Sequence, residues 1–347
     1  MRISLALLIF MFHSRTHVLH CSYGILNDFV DMGAIAMTGF FLLSGYVINL
    51  TYSKVDMSKT KEVRRFYLKR LITIIPLYFA WALLLVIANV VLNGKTAALQ
   101  ELALFPVEVL GIQSVYSSLF TFSHNGGSWF ISCILICYFL YPLLHILTKE
   151  LSDKLRIITV SILSFILLWS PFVQHIFHLQ SIYSNPFFRA LEFSIGILVS
   201  QMNMSEKPLK IIAFLRKPIV CIFSLICLIV GVSIARKLDI PRDYMLYSWI
   251  ALPCFISLIV SLGEFEFKIL RNSKMIKYLS ELSFCFFLGQ IVYVWYAVNR
   301  GMESFGCNAN VIKITLSFIV VFCIANFLHY CIEVPSTKYL KQRLLTR

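Results

Sequence analysis

The chain has 347 residues, of which 59% are hydrophobic and 14% charged, with a formal net charge of +14 and a mean hydropathy of +0.80. A soluble domain has no means of hiding that much apolar surface, so the composition excludes a soluble enzyme or binding module and implies a polytopic membrane protein. The excess of Lys and Arg would suggest nucleic acid in a soluble chain, but here the basic residues fall in short segments between apolar runs. That pattern reads as membrane topology, and no nucleic-acid partner is expected.

Apolar runs of about 18 to 22 residues suit helices rather than barrel strands, so the expected fold is all-α, an integral membrane helix bundle in contact with lipid. In chain order the runs cover residues 2–20, 31–51, 71–92, 128–147, 156–173, 187–202, 218–235, 243–262, 278–298 and 312–332, which makes ten spans. The first run lacks a small-residue cleavage site, and His20 before Cys21 does not suit lipoprotein processing, so it is read as a retained span. With the N-terminus in the cytoplasm, 23 of the 31 Lys and Arg fall inside: Arg2, the cluster from Lys54 to Arg70, and groups near Lys149, Lys207, Lys268 and Lys338. The positive-inside rule then gives N-in and C-in, in keeping with an even number of spans. No linker divides the chain, and the longest outside stretch, residues 93–127, is too short for a soluble domain; residues 1–347 are expected to form one transmembrane domain. The ten cysteines contain no C-x-x-C pair and lie mostly within spans, so they read as small apolar helix residues rather than ligands or disulfides.

The first span, MRISLALLIFMFHSRTHVLH, carries ionisable side chains at regular spacing. Arg2 and His13 are eleven residues apart, three helical turns plus about 20°, so they share one face at depths about 16 Å apart. His17 and His20 fall about 40° and 20° to either side of His13 if the helix continues that far. Charge on a lipid-facing stripe is costly, so this stripe is expected to face the bundle or a water-filled cavity; the structural alternative is that Arg2 snorkels and the histidines lie in outside water. Three histidines at i, i+4 and i+7 suit a metal, but no Asp, Glu or Cys is placed to complete the set, and no metal is expected. A neutral imidazole, with its pKa of about 6.5, suits removal of a proton from a hydroxyl instead.

Further along, Arg64, Arg65, Lys69 and Arg70 in RRFYLKRLITIIPLYF are either topogenic charges or a phosphate-binding rim, since Arg matches phosphate oxygens with paired hydrogen bonds. Arg189 and Glu192, three apart within a span, are placed to neutralise each other. Glu333, before Val334 and Pro335, marks the end of the last span, where a helix-ending role is the structural reading.

Together these segments resemble the membrane-bound acyltransferase family 3, multi-span enzymes that acylate sugars and glycans. Arg2 and His13, with ISLALLIFMF between them, match that family's Arg-x10-His first-span signature. GFFLLSGYVI is similar to its Phe-Phe-x-x-Ser-Gly-Tyr/Phe second-span signature, including Ser44 and Gly45, and RRFYLKRLITIIPLYF resembles its basic third-span entry ending in Ile-x-Pro-x-Tyr. GGSWFISCILICYFLYPLL resembles the Trp-Phe span through Trp129 and Pro142. NPFFRALEFSIGILVS resembles Arg-x-x-x-Phe-x-x-Gly through Arg189, Phe193 and Gly196, and HYCIEVPSTKYL resembles the closing Glu-x-Pro through Glu333. The six segments keep the family's order and cover nearly the whole chain. Four positions depart from the pattern. Thr73 stands where a second arginine is usual, which would weaken or alter donor phosphate binding, and SFCFFLGQ places Phe284, Phe287 and Gln290 where Tyr-x-x-Tyr-Leu-x-His is frequent, removing one proton carrier. Family members also carry a short cytoplasmic segment before the first-span arginine, which would place the start upstream of Met1.

The resemblance implies an inner-membrane O-acyltransferase with no resident cofactor. It would move an acyl group, most often acetyl, from cytoplasmic acyl-CoA to a hydroxyl of a cell-surface glycan or its lipid-linked precursor. Arg65, Lys69, Arg70 and Arg2 would hold the donor phosphates, and His13 would act as general base or transient acyl carrier. Ser44, Trp129, Arg189 and Glu333 would contact substrate. A glycan or lipid exporter and a non-catalytic family member are the rival readings.

Overall fold

The computed structural model describes residues 1–18, 21–116, 118–119, 128–178, 182–241, 243–264, 273–306 and 309–345. His20, Lys268, Arg271, Cys307, Arg347 and the two glycines of the GGSWF segment lie outside them. Among the described residues the regular structure is helical: α1 (Arg2–His17), α2 (Asn27–Val30), α3 (Ala36–Tyr52), α4 (Thr60–Val109), α5 (Ser128–Lys149), α6 (Asp153–Ile176) and α7 (Pro186–Asn203). There follow α8 (Lys210–Leu215), α9 (Pro218–Lys237), α10 (Ser248–Glu264), α11 (Lys274–Leu288), α12 (Val292–Ser304), α13 (Asn310–Phe327), a π-helical turn (Leu328–Glu333) and α14 (Val334–Leu344).

Each of the ten apolar runs contains helix, yet among the described residues length and composition mark six helices as able to cross a membrane, or seven if one bent pair counts as a span. The shortfall has a physical cause. α1 has only 16 residues and carries Arg2, His13, Arg15 and His17, whereas α7 carries Arg189 and Glu192 and is buried on most of its surface. Such helices are shielded by their neighbours and need less apolar surface of their own. The chain is an all-helical, multi-pass membrane protein, with large apolar side chains such as Leu83, Phe139, Phe165 and Phe223 exposed on its outer helices.

Three expected elements take a different form. α1 stops at His17, because Val18 is extended (φ −107°, ψ 113°); its end is tied down by the Arg15 guanidinium, which donates to both oxygens of Asp31 at 2.8 and 3.0 Å. The run at 278–298 is two helices, α11 and α12, bent by 82° at residues 289–291. Ile291 is extended there (φ −93°, ψ 154°), and the Gln290 amide donates to the carbonyl of Ala6 on α1 at 3.0 Å, so a polar side chain takes over where the helical ladder stops. The stretch at 93–127 begins as helix: Gly94, at φ +70°, turns α4 back on itself, and the second limb lies along the first through Asn89 to Glu101 (2.6 Å) and Tyr78 to the Glu108 carbonyl (2.8 Å).

The centre of the bundle is α7, packed against α3, α5, α6 and α10. Its contact with α3 is close enough to be backbone on backbone. A Cβ at Gly45 would meet the Phe193 carbonyl oxygen at 1.9 Å, and one at Gly196 would meet the Leu42 carbonyl oxygen at 2.1 Å. Both glycines belong to the aromatic-rich segments singled out in the sequence, so their role there is to let two spans touch. On the other side of α3 lies α1, which also contacts α11 and α12, while α13, the π-helical turn and α14 run beside α11 and α4. α1 is thus packed by helices on several sides, and Leu5, Ala6, Ile9, Phe10 and Ser14 are buried there.

Candidate active site

Two cavities open along α1. The first, about 360 Å³, is lined by Arg2, Ser44, Arg70, Thr73, Tyr138, Glu281, His329 and Glu333 among others. The second, about 490 Å³, is lined by His13, Thr16, His17, Trp129, Gln174, Tyr183, Asp243, Tyr244 and Gln290 among others. One helix therefore delivers its arginine to one cavity and its histidine to the other, as an eleven-residue spacing on a single face requires. Phe287 lines both.

In the first cavity the Arg70 guanidinium lies over the rings of Tyr52, Tyr138 and Phe66, at 5.1, 5.6 and 5.7 Å from their centroids. Arginine is suited to such a box because its planar, weakly hydrated cation stacks on aromatic faces while its edge stays free for an anion. Arg65 is exposed on another part of α4, and Lys69 is half-buried; neither is among the residues lining the cavity. Of the expected donor-phosphate contacts, Arg70 and Arg2 are brought together and Arg65 and Lys69 are not. Ser44 faces Arg70 and Thr73 across the same space.

Glu333 is also brought into this cavity, with a partner that sequence reasoning missed. His329 Nδ1 and Glu333 Oε2 are 2.7 Å apart, and the Cys285 thiol donates to the same oxygen at 3.3 Å. The two residues stand four apart on the π-helical turn, which puts their side chains one above the other. The signal was present, a histidine four before the glutamate in HYCIE, but Pro335 drew attention to helix ending. Pro335 ends nothing. It occupies the first turn of α14, where its missing N–H leaves no bond unmade, and the helix runs on to Leu344. Cys285 is likewise more than an apolar filler; the cysteines of the described residues are free thiols.

In the second cavity the His13 and His17 rings stack with centroids 5.8 Å apart, and His17 in turn stacks on Trp295 at 6.1 Å. His17 thus shares the cavity with His13 instead of standing apart in solvent. Trp129 lines the opposite wall beside Tyr183. Arg189 stands behind that wall, outside the lining of both cavities. It is 1% exposed, donates to both oxygens of Glu192 at 2.9 and 2.7 Å and to the Tyr183 carbonyl at 2.8 Å, and lies 4.9 Å from the Tyr183 ring centroid and 5.9 Å from that of Trp129. Thr38 donates to Glu192 at 2.7 Å. The pair is closed and hydrogen-bonded, as burial of two charges requires, and Arg189 acts on the cavity by fixing the rings in front of it.

The four positions where the sequence departs from the family pattern all line these cavities: Thr73 and Phe284 the first, Gln290 the second, Phe287 both. Gln290 has a structural part as well, through its bond to the Ala6 carbonyl at the α11–α12 bend.

No curated protein and no solved structure matches the chain. A family model does: the acyltransferase domain matches residues 1–330, almost the whole chain. With Arg2 and His13 on one helix, the two cavities that they enter and a domain match of that extent, the chain belongs to the membrane-bound acyltransferase family 3 and is a membrane acyltransferase.

Proposed function

We propose that the protein is an inner-membrane O-acyltransferase with ten spans and both termini in the cytoplasm. It takes an acyl group, acetyl in the simplest case, from cytoplasmic acyl-CoA. It delivers that group to a hydroxyl of a cell-surface polysaccharide, whether O-antigen, capsule or exopolysaccharide, or of its lipid-linked precursor. The observation that carries this reading is the division of α1 between two cavities, Arg2 in one and His13 in the other.

The Arg2 cavity is the donor side. Coenzyme A is polyanionic, and Arg70, held in its aromatic box, and Arg2 supply cations for its phosphates, with Arg65 and Lys69 as a basic approach on the same helix. The His13 cavity is the acceptor side, where Trp129, Tyr183 and Tyr244 offer ring faces to a sugar and Asp243, Gln174 and Gln290 offer hydrogen bonds. His13 takes the proton from the acceptor hydroxyl as its oxygen attacks the thioester carbonyl. The C–O bond forms, the C–S bond breaks, and the CoA thiolate leaves toward Arg2 and Arg70 and takes a proton from water, while the His13 imidazolium gives its proton back to water, so no net hydroxide remains.

The test uses everted and right-side-out vesicles from a glycan-producing bacterium that expresses the chain, supplied with labelled acetyl-CoA. Label should enter lipid-linked or polymeric glycan only in everted vesicles, and His13→Ala should lower the rate by about 10²- to 10⁴-fold. Equal labelling from both faces, or full labelling by His13→Ala, would refute the assignment of sides and of the base.

A further inference from the structure

One aromatic ring, that of Phe287, lines both cavities, and it packs against rings from two other helices. Phe287 of α11 packs its ring 5.1 Å from that of Phe130 on α5 and 5.7 Å from that of Phe40 on α3, and the Phe40 and Phe130 rings are 6.0 Å apart. Each ring touches the other two, so the triad closes on itself. All three line the Arg2 cavity, and Phe287 presents its other side to the His13 cavity. The next residue after Phe287 ends α11, and the chain turns by 82° just beyond it. The last turn of a broken helix therefore carries the ring that both cavities share.

This placement bears on the donor, given the acyl-CoA reading above. A thioester held by Arg2 and Arg70 and a hydroxyl activated by His13 approach from opposite cavities, so the carbonyl carbon has to come to the shared wall. Whatever carbons follow the carbonyl need room at that wall. The triad fills the room with three rings, each packed at ordinary aromatic contact distance and one of them, Phe130, only 6% exposed. No polar side chain belongs to the triad, so an acyl chain that grows toward this side of the cavity meets packed aromatic carbon.

We propose that Phe40, Phe130 and Phe287 form the end wall of the acyl site, and that Phe287 sets the upper limit on acyl chain length. Shortening Phe287 opens the wall toward the second cavity, where Leu288 and Ile9 offer further apolar surface. Each methylene then admitted should strengthen donor binding by about fourfold, the equivalent of about 0.8 kcal/mol.

The test is binding of CoA, acetyl-CoA, butyryl-CoA and hexanoyl-CoA to the purified full chain in lipid nanodiscs by calorimetry, for wild type, Phe287→Ala and the milder Phe287→Leu. Wild type should bind acetyl-CoA at least as tightly as CoA and lose affinity by tenfold or more at hexanoyl-CoA. The readout is the affinity of each acyl-CoA relative to CoA within one variant: Phe287→Ala should reverse the order, favouring the longer chains, with Phe287→Leu between the two. CoA binding by the variants also reports that they are folded. An unchanged chain-length order in both variants with CoA bound normally overturns the wall assignment alone. Failure of wild type to bind CoA overturns the donor reading and the proposal with it.

Discussion

His13 and Arg70 have different proposed parts in the reaction, and substitution separates them. Loss of the His13 imidazole removes a step made only in the transition state, so it should lower kcat and kcat/KM together. Arg70, on the proposed reading, instead holds a donor that is bound in both ground and transition states. Arg70→Ala should raise KM for acyl-CoA by about ten- to a hundredfold, the range expected for a charge-assisted contact of about 1.5–3 kcal/mol, with a smaller change in kcat. Arg70→Lys should recover only part of that loss, because an ammonium neither forks onto phosphate nor stacks within the box of Tyr52, Phe66 and Tyr138. Steady-state kinetics over acyl-CoA concentration decides this, and an unchanged KM in Arg70→Ala would remove Arg70 from the donor site. Arg2 and His13 were legible at this scale because helical geometry turns an interval of eleven into a shared face. His329 was not singled out, and neither was the partnership of Arg189 with Tyr183 and Trp129, since those contacts join residues across a π-helical turn and across separate helices.

Between elements, the contact that positions the site is that of α3 with α7, where Gly45 and Gly196 bring backbones together. α3 carries Ser44 and Phe40 into the first cavity, and α7 carries Arg189 behind the second. Gly45→Ala forces a methyl group to within 1.9 Å of the Phe193 oxygen unless the helices part. Overpacking of that kind costs about 1–3 kcal/mol, so the variant should melt several degrees below wild type in detergent and lose transfer activity as Ser44 and Phe40 shift. Gly301→Ala is the control: nothing lies within 4 Å of its added Cβ, and alanine favours helix, so it should melt at or slightly above the wild-type temperature. Equal melting of the two variants would contradict the close α3–α7 packing. Hydropathy placed helix at all ten apolar runs but had no means of showing where a helix is interrupted. The bend at 289–291 depends on Gln290 reaching Ala6 of α1, and the turn at Gly94 on Asn89 and Tyr78 finding partners on the returning limb. These are contacts between distant segments, which a local periodicity does not record.

Over the whole molecule, the proposed reading gives the bundle a donor side at the Arg2 cavity and an acceptor side at the His13 cavity, both reached from α1. Thr73, Phe284, Phe287 and Gln290, where the sequence departs from the family pattern, lie at the linings of these cavities. An exporter would also gather buried charge among its spans, but it would have no use for a guanidinium poised over three rings beside a second arginine. The most direct measurement is mass analysis of surface polysaccharide from a bacterium expressing wild type, His13→Ala or no chain. An acyl mass increment, acetyl in the first instance, is expected with wild type only. A wild type that adds no acyl group to any glycan, while glycan export depends on its presence, would contradict it.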